Sequence, residues 1–160
     1  TAAASSSQNQ SKYEANVAGV AGKMDNRVIA AYQQLGFKLV VDPSVNYSGY
    51  FDARSRSITM KQIDDSVYHE LGHFLAFIAG NVDKTASFQS IFAAEKANVT
   101  AFVTQNASEY FAESVKDYIL NNASLKSTRP QTYAAVQNAL NQITDAQIAK
   151  IQKIYGAFWN

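Results

Sequence analysis

The chain has no cysteine. Disulfide staples and thiolate metal sites are therefore excluded, and any metal must rest on His, Asp or Glu. No apolar run approaches the roughly 20 residues that a membrane-spanning helix needs. Charge of one sign is also missing: 14 Lys and Arg stand against 13 Asp and Glu, a net +1. That balance argues against nucleic acid or acidic lipid as the main partner. Histidine is scarce, with only two residues, His69 and His73, in a chain of 160. That length is enough for one domain with a real core.

Residues 1–11 are small and polar and bury too little apolar surface to order themselves. They are expected to form a flexible start, with a single domain over 12–160. The stretch looks like the one that follows a removed signal peptide, so export is an expectation. Asn-x-Ser/Thr sequons begin at Asn9, Asn46, Asn98, Asn106 and Asn122. In a chain this rich in Asn and Ser they read as composition rather than as glycosylation, and a glycan on Asn106 would crowd the site described below.

Residues 12–35 are expected to form one helix, with Val17, Val20, Met24, Val28 and Tyr32 on a stripe and Gly36 as its stop. Lys38–Val41 reads as a strand ended by Asp42-Pro43. Gly49–Phe51 and Ser57–Met60 read as a hairpin around Ala53–Ser55. Asp64, Asp65 and Ser66 are N-cap candidates for a helix over 66–80. Further helices are expected at about 84–96, 107–121, 129–141 and 144–157. A few strands followed by helices indicate an α+β domain.

The helix at 66–80 carries His69-Glu70-Leu71-Gly72-His73. Residues four apart lie on one helical face, so the two imidazoles can grip one metal ion. Glu70 between them is placed to take a proton from the attacking water, which is the signature of zinc peptidases. Val67, Leu71, Phe74, Leu75 and Ile78 form the apolar stripe of the same helix. The histidines are two residues out of phase with Val67 and Leu71, about 200° around the helix. A pair of core histidines would share the apolar face, and this pair does not.

Zinc needs a third protein ligand and an open position. Glu109, in Ser108-Glu109-Tyr110-Phe111-Ala112-Glu113-Ser114, is the candidate. Phe111, Val115, Tyr118 and Ile119 form that segment's apolar stripe, and Glu109 and Glu113 share another face. Two carboxylates at this spacing repel unless paired. From spacing alone, a solvated acidic face and a metal-facing pair are equally good readings.

The His-Glu-Leu-Gly-His segment followed by Ser108–Ser114 resembles the anthrax lethal factor catalytic-domain family. Among its members, the small secreted Pro-Pro endopeptidases of Gram-positive bacteria are the most similar. Ser87–Ala93 and Arg129–Tyr133 share the resemblance, which covers about residues 67–141 and, more loosely, the upstream hairpin. It implies a zincin-like fold of the gluzincin class, with a small sheet and a mostly helical remainder. It implies Zn2+ on His69, His73 and Glu109, Glu70 as general base, and Glu113 orienting a ligand histidine. Two departures are visible. The family's oxyanion-stabilising tyrosine, seven residues before the third ligand, is replaced by Phe102, which has no hydroxyl. The Pro-Pro enzymes carry a longer tryptophan-bearing segment before the edge strand, whereas this chain's single tryptophan is Trp159.

The reading these features support is a secreted, extracellular, bacterial zinc metalloendopeptidase that acts as a monomer. Its partner would be a peptide or protein substrate bound in extended form, pairing with an edge strand near Ser57–Met60. One rival is a weakened or inactive module that binds a peptide or surface protein, supported by Phe102. The other is a structural zinc domain. Such a domain closes the fourth coordination position, which a motif glutamate beside an open site argues against.

Overall fold

Hydrogen-bonding side chains, more than apolar spacing, decide where the first elements break. The computed structural model describes residues 11–99 and 105–159. The stretch expected as one helix over 12–35 is instead strand β1 (Tyr13–Ala15), a short helix α1 (Val17–Val20) and helix α2 (Asn26–Gln34). Asn16 caps α1 by accepting from the Ala18 N–H (3.0 Å), and Asp25 caps α2 by accepting from Arg27 N–H (2.8 Å). Each cap satisfies helix-start donors and so restarts the chain's direction. The apolar stripe survives the break: Val17, Met24, Val28 and Tyr32 are all buried. Gly36 ends α2 at φ 80°, as its position suggested, and Phe37 N–H returns to the Tyr32 carbonyl (3.0 Å).

Three further strands follow: β2 (Lys38–Val41), β3 (Gly49–Asp52) and β4 (Ser57–Met60). The sheet order is β1-β2-β4-β3. β3 and β4 form the expected antiparallel hairpin, with Phe51 opposite Ile58. β2 lies parallel to β4, with Leu39 opposite Ile58, and antiparallel to β1. This corrects one expectation. Ser57–Met60 is not an edge, because β2 and β3 take both of its sides. The free edge on the hairpin side is β3.

Helix α3 (Ser66–Ile78) runs through the middle of the molecule. Asp64 starts it, accepting from the Ser66 N–H at 3.0 Å and from the Ser66 hydroxyl. Val67, Leu71, Phe74, Leu75 and Ile78 are buried, as the stripe requires, and so are Tyr68, Gly72, Ala76 and Phe77. Helix α4 (Ala86–Glu95) follows a 3-10 turn at Val82–Lys84. Then come α5 (Ala107–Leu120), α6 (Asn122–Thr128), α7 (Pro130–Asn141) and α8 (Asp145–Trp159). The fold is α+β, as expected, with one small mixed sheet and a largely helical remainder. No helix among the described residues is long and apolar enough to cross a membrane.

The short helix α6 was not expected. Its residues are mostly polar and only Leu125 is buried, so no stripe announces it. Glu95, at the end of α4, caps the neighbouring α7 from a distance. Its carboxylate accepts from the Gln131 N–H (3.0 Å), the Thr132 N–H (2.8 Å) and the Thr132 hydroxyl (2.6 Å). Arg129 just before α7 reaches back to α5, to Asp117 (2.6 Å) and the Ser114 hydroxyl (3.1 Å). Arg129–Thr132 is thus a structural knot that fastens α7 to α4 and α5.

The contact that matters most for the site is α3 on α5. A Cβ placed on Gly72 would stand 2.7 Å from the Ala112 carbonyl oxygen and 2.8 Å from its Cα. Both atoms are backbone and cannot step aside. Gly72 opposite Ala112 therefore lets the two helices touch main chain to main chain, closer than ordinary side chains permit. Gly72→Ala is predicted to overpack this crossing and cost about 1–3 kcal/mol. A thermal melt checks it: an unchanged melting temperature would mean that the crossing has slack.

Candidate metal centre and cleft

The close crossing brings two pairs of side chains face to face. α3 presents His69 and His73 one turn apart, and α5 presents Glu109 and Glu113 one turn apart. Both pairs stand on the faces that sequence spacing sets away from the apolar stripes. Asn106 helps aim the second pair, since its side chain accepts from the Glu109 N–H (2.8 Å) and fixes the first turn of α5.

The four side chains interleave. His69 Nδ1 lies 2.8 Å from Glu113 Oε1, and His69 Nε2 lies 3.1 Å from Glu109 Oε1. His73 Nε2 lies 3.1 Å from the other Glu109 oxygen, Oε2. One potential ligand atom from each of His69, His73 and Glu109 falls within 4.8 Å of the others. The two histidine side chains are largely buried, while that of Glu109 remains 41% exposed on the open side.

Protonation follows from this arrangement. Burial pulls the His69 pKa down, but the hydrogen bonds to Glu109 and Glu113 outweigh it and raise it to about 9. The same bonds to His69 and His73 hold Glu109 well below the usual carboxylate range. Glu113 is lowered too, first by His69 and then by Lys116. With the Nδ1–H of His69 donated to Glu113, its Nε2 points at a Glu109 oxygen. Two lone-pair bearers at 3.1 Å need positive charge between them, either protons on the imidazoles or a metal ion.

The donor set fits a metal. Two imidazole nitrogens and one carboxylate oxygen suit zinc, and bonds near 2.0–2.2 Å in a tetrahedral site put neighbouring ligand atoms roughly 3.3 Å apart. One ligand atom from each of the three residues falls within 4.8 Å of the others, and each imidazole Nε2 has a Glu109 oxygen at 3.1 Å. Three ligands leave a position open, and an outer carboxylate on the far nitrogen of a ligand histidine is the usual orienting partner.

Glu70 is not one of the three converging groups. It is buried and sits against the start of β3, where Gly49 leaves it room. Burial raises its pKa, against the opposing pull of His69 and His73. It nevertheless lines a cleft of about 360 Å³ together with Tyr50, Phe51, His73, Phe77 and Glu109. Phe51 from the free edge stacks near His73, with ring centroids 6.5 Å apart. Phe102 lies outside the described residues.

Two cleft residues gave no sequence signal. Gly49 is an isolated glycine at a strand start. Asp83, in the 3-10 turn, is buried and accepts from the Ser108 hydroxyl (2.7 Å), next to Glu109 in sequence. Its other oxygen has no hydrogen-bond partner among the described residues. Neither residue belongs to a recognisable spacing pattern, so only the tertiary structure identifies it.

Comparison with known proteins fits this geometry. A family model described as anthrax toxin lethal factor, N- and C-terminal domain, matches residues 12–139, beginning further upstream than the motifs alone suggested. The Pro-Pro endopeptidase of Clostridioides difficile (strain 630) is 40% identical over 76 residues, covering 44% of this chain and 34% of that protein. The chain thus matches about a third of the length of that relative. By the extent of the family match, the chain belongs to the anthrax toxin lethal factor N- and C-terminal domain family.

Proposed function

We propose that the chain is a zinc-dependent metalloendopeptidase, secreted by a bacterium, that cleaves extended protein substrates. One observation carries this reading: His69, His73 and Glu109 converge beside a cleft that Glu70 also lines. His69, His73 and Glu109 would hold the zinc. When bound, it would lower the pKa of a water and polarise the scissile carbonyl.

The remaining work falls to the chain's own side chains. Glu70 accepts the proton of the attacking water and returns it to the leaving amine nitrogen. Its burial favours the accepting half of that role, because a carboxylate whose pKa is raised takes up a proton more readily than it would at its usual value. Glu113 holds His69 in one tautomer and one orientation. The free edge of β3 offers unpaired main-chain groups to an extended peptide, and Tyr50, Phe51 and Phe77 offer apolar contact beside it. This moves the expected docking strand from Ser57–Met60 to Gly49–Asp52. The similarity to a named endopeptidase supports the reaction class.

A second reading has one residue in its favour. Phe102 in place of a hydroxyl-bearing tyrosine would leave the developing negative charge with one donor fewer. A missing oxyanion donor costs about 2.7–4 kcal/mol, or roughly 10²–10³ in rate. The chain would then bind a peptide and turn it over slowly or not at all. A peptide library that includes Pro-Pro sequences, with cleavage products read by mass spectrometry, decides between the two readings.

Three variants test the assignments. Glu109→Ala is expected to lose most of its zinc by metal analysis, and full retention would remove Glu109 from the ligand set. Glu70→Gln is expected to keep zinc and melting temperature while activity falls by at least about 10²-fold; parent-level turnover would refute the general-base role. Phe102→Tyr should leave zinc content unchanged and raise kcat on any cleaved peptide. No gain over an already fast parent would mean that another residue supplies the donor.

A further inference from the structure

Gly49 opens β3 at the point where the Glu70 side chain crosses the strand. A Cβ built on Gly49 would lie 2.8 Å from Glu70 Cγ, 3.0 Å from Glu70 Oε2 and 3.1 Å from Met60 Sδ. The first distance is too short for packed atoms and the other two are tight, yet the backbone itself does not demand glycine. Among the described residues the glycines with positive φ are Gly36 and Gly80, so Gly49 holds a conformation open to alanine. It pairs with Met60 in regular antiparallel register. The absent side chain is therefore explained by what fills its place, and the group that fills it most closely is Glu70.

We propose that Gly49 is a positioning residue for Glu70. By having no side chain it lets the carboxylate lie down on the strand, and so fixes where that carboxylate stands relative to His69, His73 and Glu109. The proposal rests on the reading of Glu70 as the general base. The obstacles to a methyl group at position 49 are side-chain atoms, not backbone: the middle and tip of Glu70 and the sulfur of Met60. Met60 is fully buried in the core and has little room to move. Glu70 borders the cleft and can swing into it. An alanine at 49 would thus be accommodated by displacing the base. A shift of about 1 Å in a reacting group can cost roughly 10²-fold in rate.

The test is Gly49→Ala, in the parent and in the Glu70→Gln background. The single variant is expected to keep its zinc, with kcat reduced by about 10–10²-fold on a peptide the parent cleaves. KM should change little, since the substrate-facing edge is retained. Its crystal structure should show the Glu70 carboxylate displaced while His69, His73 and Glu109 stay together. In the Glu70→Gln background the same alanine should cost less than about two-fold, because the group it displaces no longer acts. If Gly49→Ala fails to fold, Gly49→Ala with Glu70→Ala should recover the parent melting temperature. An unmoved Glu70 overturns the proposal, as does an equal loss of activity in both backgrounds or a double variant that stays unfolded. Failure of the general-base reading shows separately: Glu70→Gln would then keep parent activity, while displacement of Glu70 by the alanine stays measurable in the crystal.

Discussion

Two carboxylates and two imidazoles share the space between α3 and α5, and none can be there alone. A like-charged pair one turn apart on α5 would destabilise that helix. The imidazoles of α3, with ring centroids 5.0 Å apart, stand opposite that pair. Interleaved, each carboxylate meets an imidazole nitrogen at 2.8–3.1 Å. The site's electrostatics and the packing of its helices are therefore one arrangement. The close crossing at Gly72 brings the charges within reach, and the charges give two polar helix faces a reason to be buried together.

Around that pairing the fold assigns separate supports. Asn106 and the Ser108–Asp83 bond set the first turn of α5, where Glu109 projects. Arg129, Ser114 and Asp117 hold its later turns against α7. α3 is anchored by its apolar face, and Asp64 just before it accepts from the N–H of its first residue, Ser66. The four converging side chains thus come from the middles and starts of regular helices, where backbone position is well defined. β3 closes the arrangement from the other side and contributes the open edge of the cleft.

Much of this was legible in the sequence, for a specific reason. The 3.6-residue period of α3 and α5 carries both an apolar stripe and a polar pair, and their phase difference fixes which face is which. Local caps over 12–35 were less legible, because the stripe through Val17, Met24 and Tyr32 continues unbroken across the turn that Asp25 starts. The parallel pairing of β2 with β4 is invisible locally, since it joins residues about twenty apart without a turn signal. It is that pairing which makes β3 the edge. Gly49 was legible only as a strand residue and Asp83 not at all, because their places in the cleft exist only against neighbours brought in by the fold.

The close approach at Gly72 also bears on how the motif itself is read. Written as a pattern, His-Glu-x-x-His leaves its two spacers free. In this chain the second spacer is as constrained as any ligand, because it faces the Ala112 backbone at a distance no side chain fits. Chemistry does not impose that constraint; the partner helix does. A related chain with a bulky residue there would satisfy the written pattern and still hold its third carboxylate too far away. In this chain the spacer residue thus decides whether the helix bearing the motif can lie against α5 at all.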